Sequence, residues 1–347
     1  MNMNRRSFLK RASQLAVAVG SMSPLHAACG RSKEDKSVQA LIPIVDTHQH
    51  LWDLSKFKLP WLRPPLDRSF VTKDYIEASQ GLHIVKAVYM EVAVVPQQRL
   101  QEAEYAIALC QEPESVTCAA VIAGSPAEDG FEPYIMRFKS SPYIKGVRGA
   151  FASAEQMNDK QVIRNLRLLG ELGMRFDVNV PPPSLAGAAR LVDQCPDTRF
   201  ILDHCGNADP IAFFPVGRVA PRPAQHSPDQ WRQDIDKLAA KRNIICKISG
   251  LVDNVPGHPL TADDLAPAVN HCLDAFGPDR VVFASDWPVC LIGMPLRSWV
   301  GLLKEVVAHR PETEQRKLFH DNALAFYDLA SSRQLTPGDK PGMSLDR

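Results

Sequence analysis

Ile42-Pro-Ile-Val-Asp-Thr-His-Gln-His-Leu-Trp-Asp53 is the stretch that decides the fold. An apolar run leads into Asp46, His48 and His50 at alternate positions. Alternate residues of a strand point to one face. The spacing therefore predicts a strand over Ile42–His48 whose end presents a carboxylate and two imidazoles together. Two imidazoles two apart make half of a metal site, or a clamp for an oxygen-rich ligand. Alone, the pattern is also compatible with a strand edge carrying solvated histidines, the less favoured reading, and the rest of the chain has to strengthen the other.

Seven more apolar runs follow: Val85–Val92, Thr117–Ala123, Ile144–Arg148, Arg175–Val180, Phe200–Asp203, Ile244–Ile248 and Val281–Ala284. Continuous Val/Ile-rich runs are typical of parallel strands buried on both faces. Helical patterns separate them at Pro96–Cys110, Asp129–Lys139, Gln156–Leu172, Ser184–Gln194, Ser227–Arg242, Ala262–Phe276 and Leu296–Ala308, with a last one from Glu312 to Ala330. Eight strands alternating with helices predict a single-domain (β/α)8 barrel. Two insertions are expected, Leu51 to Thr72 after the first strand and Gly206 to Gln225 after the sixth. Both follow strand C-termini, where such barrels build their sites. A doubly wound sheet would want a glycine-rich loop after its first strand, and DTHQH stands there instead.

The barrel is expected over residues 42–330, with a polar tail over 331–347. Residues 1–31 read as a targeting segment. Arg5-Arg6-Ser7-Phe8-Leu9-Lys10 is a twin-arginine signature, followed by a short apolar core and by Ala27-Ala28. That core is too short to span a bilayer. Residues 32–41 form a linker, and export to the periplasm is the expected destination. Cys29 is a lipidation candidate, although a lipid-attachment signal wants an apolar residue where His26 stands. The net charge of +1 leaves no basic footprint for nucleic acid. No later stretch is long and apolar enough to cross a membrane. The eight cysteines form no CxxC pair, and Cys118 and Cys246, inside strand runs, read as core residues.

Polar residues punctuate the other strand ends: Lys145 and Arg148 on the fourth, Asp177 and Asn179 on the fifth, Asp203 and His204 on the sixth, Lys247 and Ser249 on the seventh, Asp286 on the eighth. A barrel would turn these ends toward one mouth. Each has a plainer explanation in a structural ion pair or a loop hydrogen bond, and Lys247 suits a buried ion pair. By alternation Asp203 should point away from His204, into helix packing.

These residues carry a resemblance. Asp46-Thr-His48-Gln-His50-Leu-Trp52-Asp53, Leu59-Pro-Trp61-Leu62, Gly146-Val-Arg148, Leu202-Asp-His204, Cys246-Lys-Ile-Ser249-Gly-Leu251 and Phe283-Ala-Ser-Asp286-Trp287-Pro288-Val289 resemble the amidohydrolase superfamily. The similarity is to its branch of sugar-acid and 2-pyrone-4,6-dicarboxylate lactonases, and it extends to Asn322-Ala323 and Phe326-Tyr327. It implies a (β/α)8 barrel that hydrolyses an ester, usually a lactone. His48, His50, His204 and Asp286 fall on the catalytic and metal positions. Arg148 matches a substrate-contacting arginine, with Trp52, Asp177 and Lys247 as further expected contacts. The superfamily's second metal uses a carboxylated lysine or glutamate on strand four and a histidine on strand five. Arg148 and the Asp177–Asn179 segment stand there, so at most one divalent ion such as zinc is expected, and the branch also has members that work without metal.

Lactone opening needs a base for water, an oxyanion stabiliser and a holder for polar substrate groups. Asp286 suits the first, the histidines or an ion they hold the second, and Arg148 the third. No organic cofactor is required, the expected partner is a small-molecule substrate, and no GxSxG motif supports a serine esterase. Two alternatives use the same residues: a metal-dependent decarboxylase or other hydrolase of the superfamily, and a non-catalytic periplasmic binding protein. Replacing Arg5 and Arg6 together with Lys should abolish export. Periplasmic accumulation of the double variant at the wild-type level would refute the targeting assignment.

Overall fold

The computed structural model describes residues 41–329 apart from Ala152 and Ala154. The twin-arginine segment, Cys29, residues 32–40 of the linker, and Ala330 with the 331–347 tail lie outside the described residues. Eight strands form one parallel sheet in chain order: β1 (Ile44–Gln49), β2 (Ile84–Met90), β3 (Thr117–Ala123), β4 (Ile144–Gly149), β5 (Arg175–Val178), β6 (Arg199–Leu202), β7 (Ile244–Ile248) and β8 (Val281–Phe283). Each is followed by a helix: α1 (Thr72–Ser79), α2 (Arg99–Gln111), α3 (Phe131–Met136), α4 (Lys160–Glu171), α5 (Leu185–Gln194), α6 (Pro228–Ala239), α7 (Ala262–Phe276) and α8 (Leu296–Val306). The ring closes where Gln49 bridges Trp287, with Asp286 N donating to His48 O at 3.0 Å and His50 N to Trp287 O at 2.8 Å. This is the expected (β/α)8 barrel.

Two apolar layers hold it. Val45, Val88, Met90, Ala119, Val121, Ile201, Ile245 and Val282 meet inside the barrel, joined by Ala323 and Tyr327 from the C-terminal segment. The alternate strand residues pack outward against the helices. On α4 the buried Val162, Leu166 and Leu169 recur at helical spacing, and Asp159 caps its start by accepting from Gln161 N and Val162 N.

All eight strands lie where the apolar runs place them. Helix α1 was not anticipated, because in TKDYIEAS only Tyr75 is buried and the stretch carries no apolar stripe. The expected last helix is broken into Glu312–Arg316, a wider turn at Lys317–Asp321, and Asn322–Phe326. The two insertions are present as irregular chain. The first is tied down by Trp52 and Phe70, whose backbones exchange hydrogen bonds of 2.7 and 2.9 Å. The second is tied by a two-pronged Arg222–Asp209 pair at 2.7 and 3.1 Å.

One feature of β1 departs from simple alternation. Asp46 pairs with Ala87, but the next pair is Gln49 with Tyr89. Three steps on β1 thus match two on β2, which is a bulge, and a bulge exchanges the faces of the residues beyond it. Asp46 therefore does not share a face with the histidines. It lies in the outer layer and accepts from Tyr75 Oη at 2.7 Å, Ser285 N at 2.8 Å and Ser285 Oγ at 2.5 Å. It thereby ties α1 and the end of β8 to β1. Asp46→Ala would strand these buried donors, at about 1–3 kcal/mol for each one left unsatisfied. Urea unfolding should register a loss of roughly 3 kcal/mol or more on that basis. A loss below about 1 kcal/mol would mean that Asp46 does not brace the closure.

Candidate active site

Beyond the bulge, His48 and His50 reach the C-terminal mouth of the barrel. Their Nε2 atoms stand 3.1 Å apart, and Asp286 Oδ1 lies 3.5 Å from the first and 3.2 Å from the second. His50 is oriented from behind by Met90 O, 3.0 Å from its Nδ1. Arg148, from the end of β4, places Nη1 3.0 Å from His48 Nε2 and Nε 2.9 Å from Glu91 Oε1.

His204 reaches the mouth by a different device. Alternation along β6 would turn it outward and Asp203 inward. Asp203 does point inward, contrary to the expectation of helix packing: its Oδ1 is 2.9 Å from Lys247 Nζ and 3.6 Å from His48 Nδ1. The chain then enters left-handed backbone at His204 (φ 56°), Cys205 (φ 52°), Gly206 (φ 65°) and Asn207 (φ 53°), which swings the His204 ring back over the barrel. That ring lies 4.7 Å from the His48 ring, with Nδ1 3.0 Å from Ser249 Oγ. Gly250 leaves the room it needs, since a Cβ there would sit 2.5 Å from His204 Cβ.

Below the mouth lies a layer of buried charge. Lys247, Asp177 and Asp203 are all fully buried, and Lys247 bonds to both carboxylates. Asp177 and Lys247 therefore do not line the cavity as substrate contacts; they form its floor. Burial pushes the Asp177 carboxyl up to about 7, Lys247 opposing and Asp203 reinforcing the rise. Burial favours protonation of Asp203 as well, but Lys247 and His48 outweigh it and hold the group well below the usual carboxylate range. His48 is held well below the usual histidine range, first by burial and then by the Lys247 charge. It is a neutral imidazole. Arginine and lysine only donate, and they approach both ring nitrogens, Arg148 Nη1 at 3.0 Å from Nε2 and Lys247 Nζ at 3.2 Å from Nδ1, so the two cations compete for the one lone pair of the neutral ring. Burial likewise works against ionisation of Asp286, and the imidazoles of His204, His50 and His48 together overcome it, leaving the carboxyl below its ordinary range.

A cavity of ≈ 270 Å³ opens above these groups, lined by His50, Arg148, His204 and Asp286 and also by Trp61, Glu91 and Asp253. Trp52 does not line it. It is buried behind the first insertion, donates to Arg68 O at 2.6 Å, and packs edge-on against Trp61 at 5.7 Å. Trp61 belonged to the recognised Leu59-Pro-Trp61-Leu62 motif but carried no assigned role. Glu91 and Asp253 were missed, since neither lies in a motif. Among the described residues one further cluster of metal-ligand type, Cys205, Cys246 and Cys272, is buried in apolar core. The seven described cysteines are all free thiols.

His48, His50 and Asp286 form a set that suits one divalent ion. Ligands about 2.0–2.1 Å from a tetrahedral zinc stand roughly 3.3–3.4 Å apart, close to the separations of 3.1, 3.2 and 3.5 Å found here. His204 stands outside that trio and groups with His48 and Asp203. The Nε2 side of His48 is shared ground, because Arg148 Nη1 already stands there. An ion and the guanidinium compete for it. Purified protein should therefore hold at most about one divalent ion, and Arg148→Met should bind zinc more tightly, by roughly tenfold, the low end of the scale for residues around a metal site. Elemental analysis finding two tightly held ions, or a calorimetric titration with unchanged affinity, would contradict this competition.

Known proteins share this architecture. L-fucono-1,5-lactonase from Burkholderia multivorans is 25% identical over 298 residues, covering 82% of this chain and 96% of that protein. The crystal structure of a zinc-bound amidohydrolase, also from Burkholderia multivorans, superposes with a TM-score of 0.71 at 22% identity, over 83% of this chain and all of that one. A probable 2-pyrone-4,6-dicarboxylic acid hydrolase from Acinetobacter baumannii, with citric acid bound, superposes with a TM-score of 0.63 at 16% identity, over 82% of this chain and 99% of that one. The amidohydrolase family model matches residues 45–329, nearly the whole of the barrel, and the chain is therefore a member of the amidohydrolase family.

Proposed function

We propose that this protein opens a lactone ring with water, with Asp286 as the base, and that its substrate is a neutral polyhydroxylated lactone. The observation that carries the reading is the meeting of His48, His50 and Asp286 beside Arg148 in one cavity. Relatives named L-fucono-1,5-lactonase support the reaction class. Asp286 stays ionised and meets the imidazoles through Oδ1; its second oxygen takes the proton of the attacking water. A zinc ion held by His48, His50 and Asp286 would acidify water and polarise the lactone carbonyl. Arg148 offers its remaining N–H groups to the carbonyl or hydroxyl oxygens of the substrate.

The charge balance of the cavity supports a neutral substrate. Glu91, Asp253 and Asp286 line it, and Arg148 is its one cation among the described residues. That guanidinium is already paired with Glu91 at 2.9 Å. In the adjoining chamber Arg99 is likewise paired with Glu128, at 2.7 Å. A substrate with two carboxylates would find no unpaired cationic side chain, whereas sugar hydroxyls can bond to both signs.

The test is a pH-indicator screen of aldonolactones against dicarboxylated lactones, with and without chelator. Aldonolactones should turn over and dicarboxylates should not. On a hit, Asp286→Asn should lose roughly 10²-fold or more in kcat, the scale of general acid–base catalysis, with an unchanged circular dichroism spectrum. Arg148→Lys keeps the charge but loses the fork geometry. Its deficit should appear in KM if the contact is uniform, and in kcat if it tightens in the transition state. A folded Asp286→Asn enzyme with near wild-type kcat would sink the mechanism.

A further inference from the structure

His50, His204 and Asp286 occupy only the inner part of a longer hollow. The ≈ 270 Å³ cavity over them adjoins a second chamber of ≈ 300 Å³, and Glu91, Ala93, Arg148 and Asn179 line both. Beyond that shared wall the outer chamber is lined by none of the histidines and not by Asp286. Opening a single small ring makes no use of it.

We propose that the outer chamber is a sugar subsite, so that the lactone opened here carries a glycosyl substituent; this rests on the lactone-opening reading above. A pyranose offers a rim of hydroxyls and an apolar C–H face, and the lining matches both. Val94 and Ala123 supply apolar surface, while Ser125 and the Arg99–Glu128 pair, Nη1 to Oε2 at 2.7 Å, supply polar groups. In that pair each charge is balanced by the other. An incoming carboxylate, phosphate or ammonium would have to break it. Hydroxyls both donate and accept, so they can bond to the two members without separating them. The base of the chamber is left bare. β4 ends on Gly149, where a Cβ would lie 2.0 Å from Gly124 O. Both glycines line the chamber and present only backbone to it.

The shared wall is polar and held in place. Asn207 Nδ2 donates to Asn179 Oδ1 and to Val180 O, both at 2.8 Å. The backbone acceptor fixes which end of the Asn207 amide is the nitrogen, and hence which end of Asn179 is the oxygen. With its oxygen engaged, Asn179 has Nδ2 to offer, and that nitrogen donates to no other side chain or carbonyl among the described residues. Arg148 is anchored through Nε to Glu91 Oε1 at 2.9 Å, and Glu91 Oε2 in turn accepts from Ala93 N at 2.7 Å. A ligand that spans the two chambers therefore passes an oriented amide N–H group and a guanidinium. The glycosidic oxygen and neighbouring hydroxyls of a disaccharide lactone would lie against them. Together the chambers fall in the range of about 300–1,000 Å³ that encloses ligands of that size.

The test compares gluconolactone with gluconolactones bearing a hexosyl group on O3, O4 or O6, after subtraction of spontaneous opening. At least one glycosylated lactone should give a kcat/KM roughly tenfold higher, the equivalent of about two hydrogen bonds. A wild type no better on any of them than on gluconolactone overturns the subsite. Ser125→Phe, which fills the outer chamber, should abolish the preference. Arg99→Ala should reduce it by about threefold or more. Both substrates are read on one preparation, so a general structural defect lowers the two rates together and leaves their ratio unchanged. A preference that persists undiminished in the variants also overturns the assignment. If Ser125→Phe does not fold, Arg99→Ala, which removes only a partly exposed ion pair, decides. A wild-type enzyme inert to every lactone removes the lactonase reading and this inference together; an active one without the preference removes this inference only.

Discussion

The site depends on a single buried ammonium. Lys247 is fully buried beneath the His48 ring with Asp177 and Asp203 as its partners. A charge in that position is tolerable only when paired, and removing one member of such a group typically destabilises a protein by about 3–5 kcal/mol. The pairing also divides the protons. Asp203 is the ionised carboxylate that balances Lys247, while burial drives Asp177 toward the protonated form. One cluster thereby locks the ends of β5, β6 and β7 together. Burial, and after it the positive charge under the ring, keeps His48 neutral, with Lys247 at its Nδ1 and Arg148 at its Nε2. Everything above the floor, whether ion, guanidinium or substrate, meets an uncharged ring.

From the floor to the mouth the electrostatics change from permanent to negotiable. Arg148 is divided between Glu91 and His48, so it is neither free nor fully committed. A ligand that draws it away from His48 would free the Nε2 side of the ring beside Asp286, and an ion held there by His48, His50 and Asp286 would leave the guanidinium to the substrate. The two events favour each other. A carboxylate as readily ionised as Asp286 is a weak proton acceptor by itself, so in the proposed reaction polarisation of the carbonyl would have to assist it.

The barrel was legible because parallel strands buried on both faces read as unbroken Val and Ile runs. His48, His50, Arg148, His204 and Asp286 were legible because a barrel strand has no other use for such residues at its C-terminal end. What stayed hidden is what breaks periodicity. The bulge between Asp46 and Gln49 moved Asp46 to the outer layer, and the left-handed run from His204 to Asn207 brought His204 to the same side as Asp203, which strand alternation alone would have kept apart. Neither is encoded in residue spacing. Trp52 drew attention by standing next to the histidines, yet the fold uses it to back Trp61. Asp253 lies in an irregular loop where no pattern operates, and only the close packing of Gly293 on Val252 reveals its placement.

His204, after β6, and Asp286, after β8, both adopt left-handed backbone, with φ of 56° and 55°. Such conformations hold about 1–3 kcal/mol of strain for residues other than glycine, histidine and aspartate being among the types that tolerate them better. The enzyme therefore stores part of its instability at the two positions it can least afford to change. A laboratory evolution campaign scored on heat resistance alone would favour glycine or asparagine at these positions and drift toward robust, inactive barrels. Turnover has to be scored in every round, and stability gained elsewhere, on the outer helices, where the backbone is relaxed.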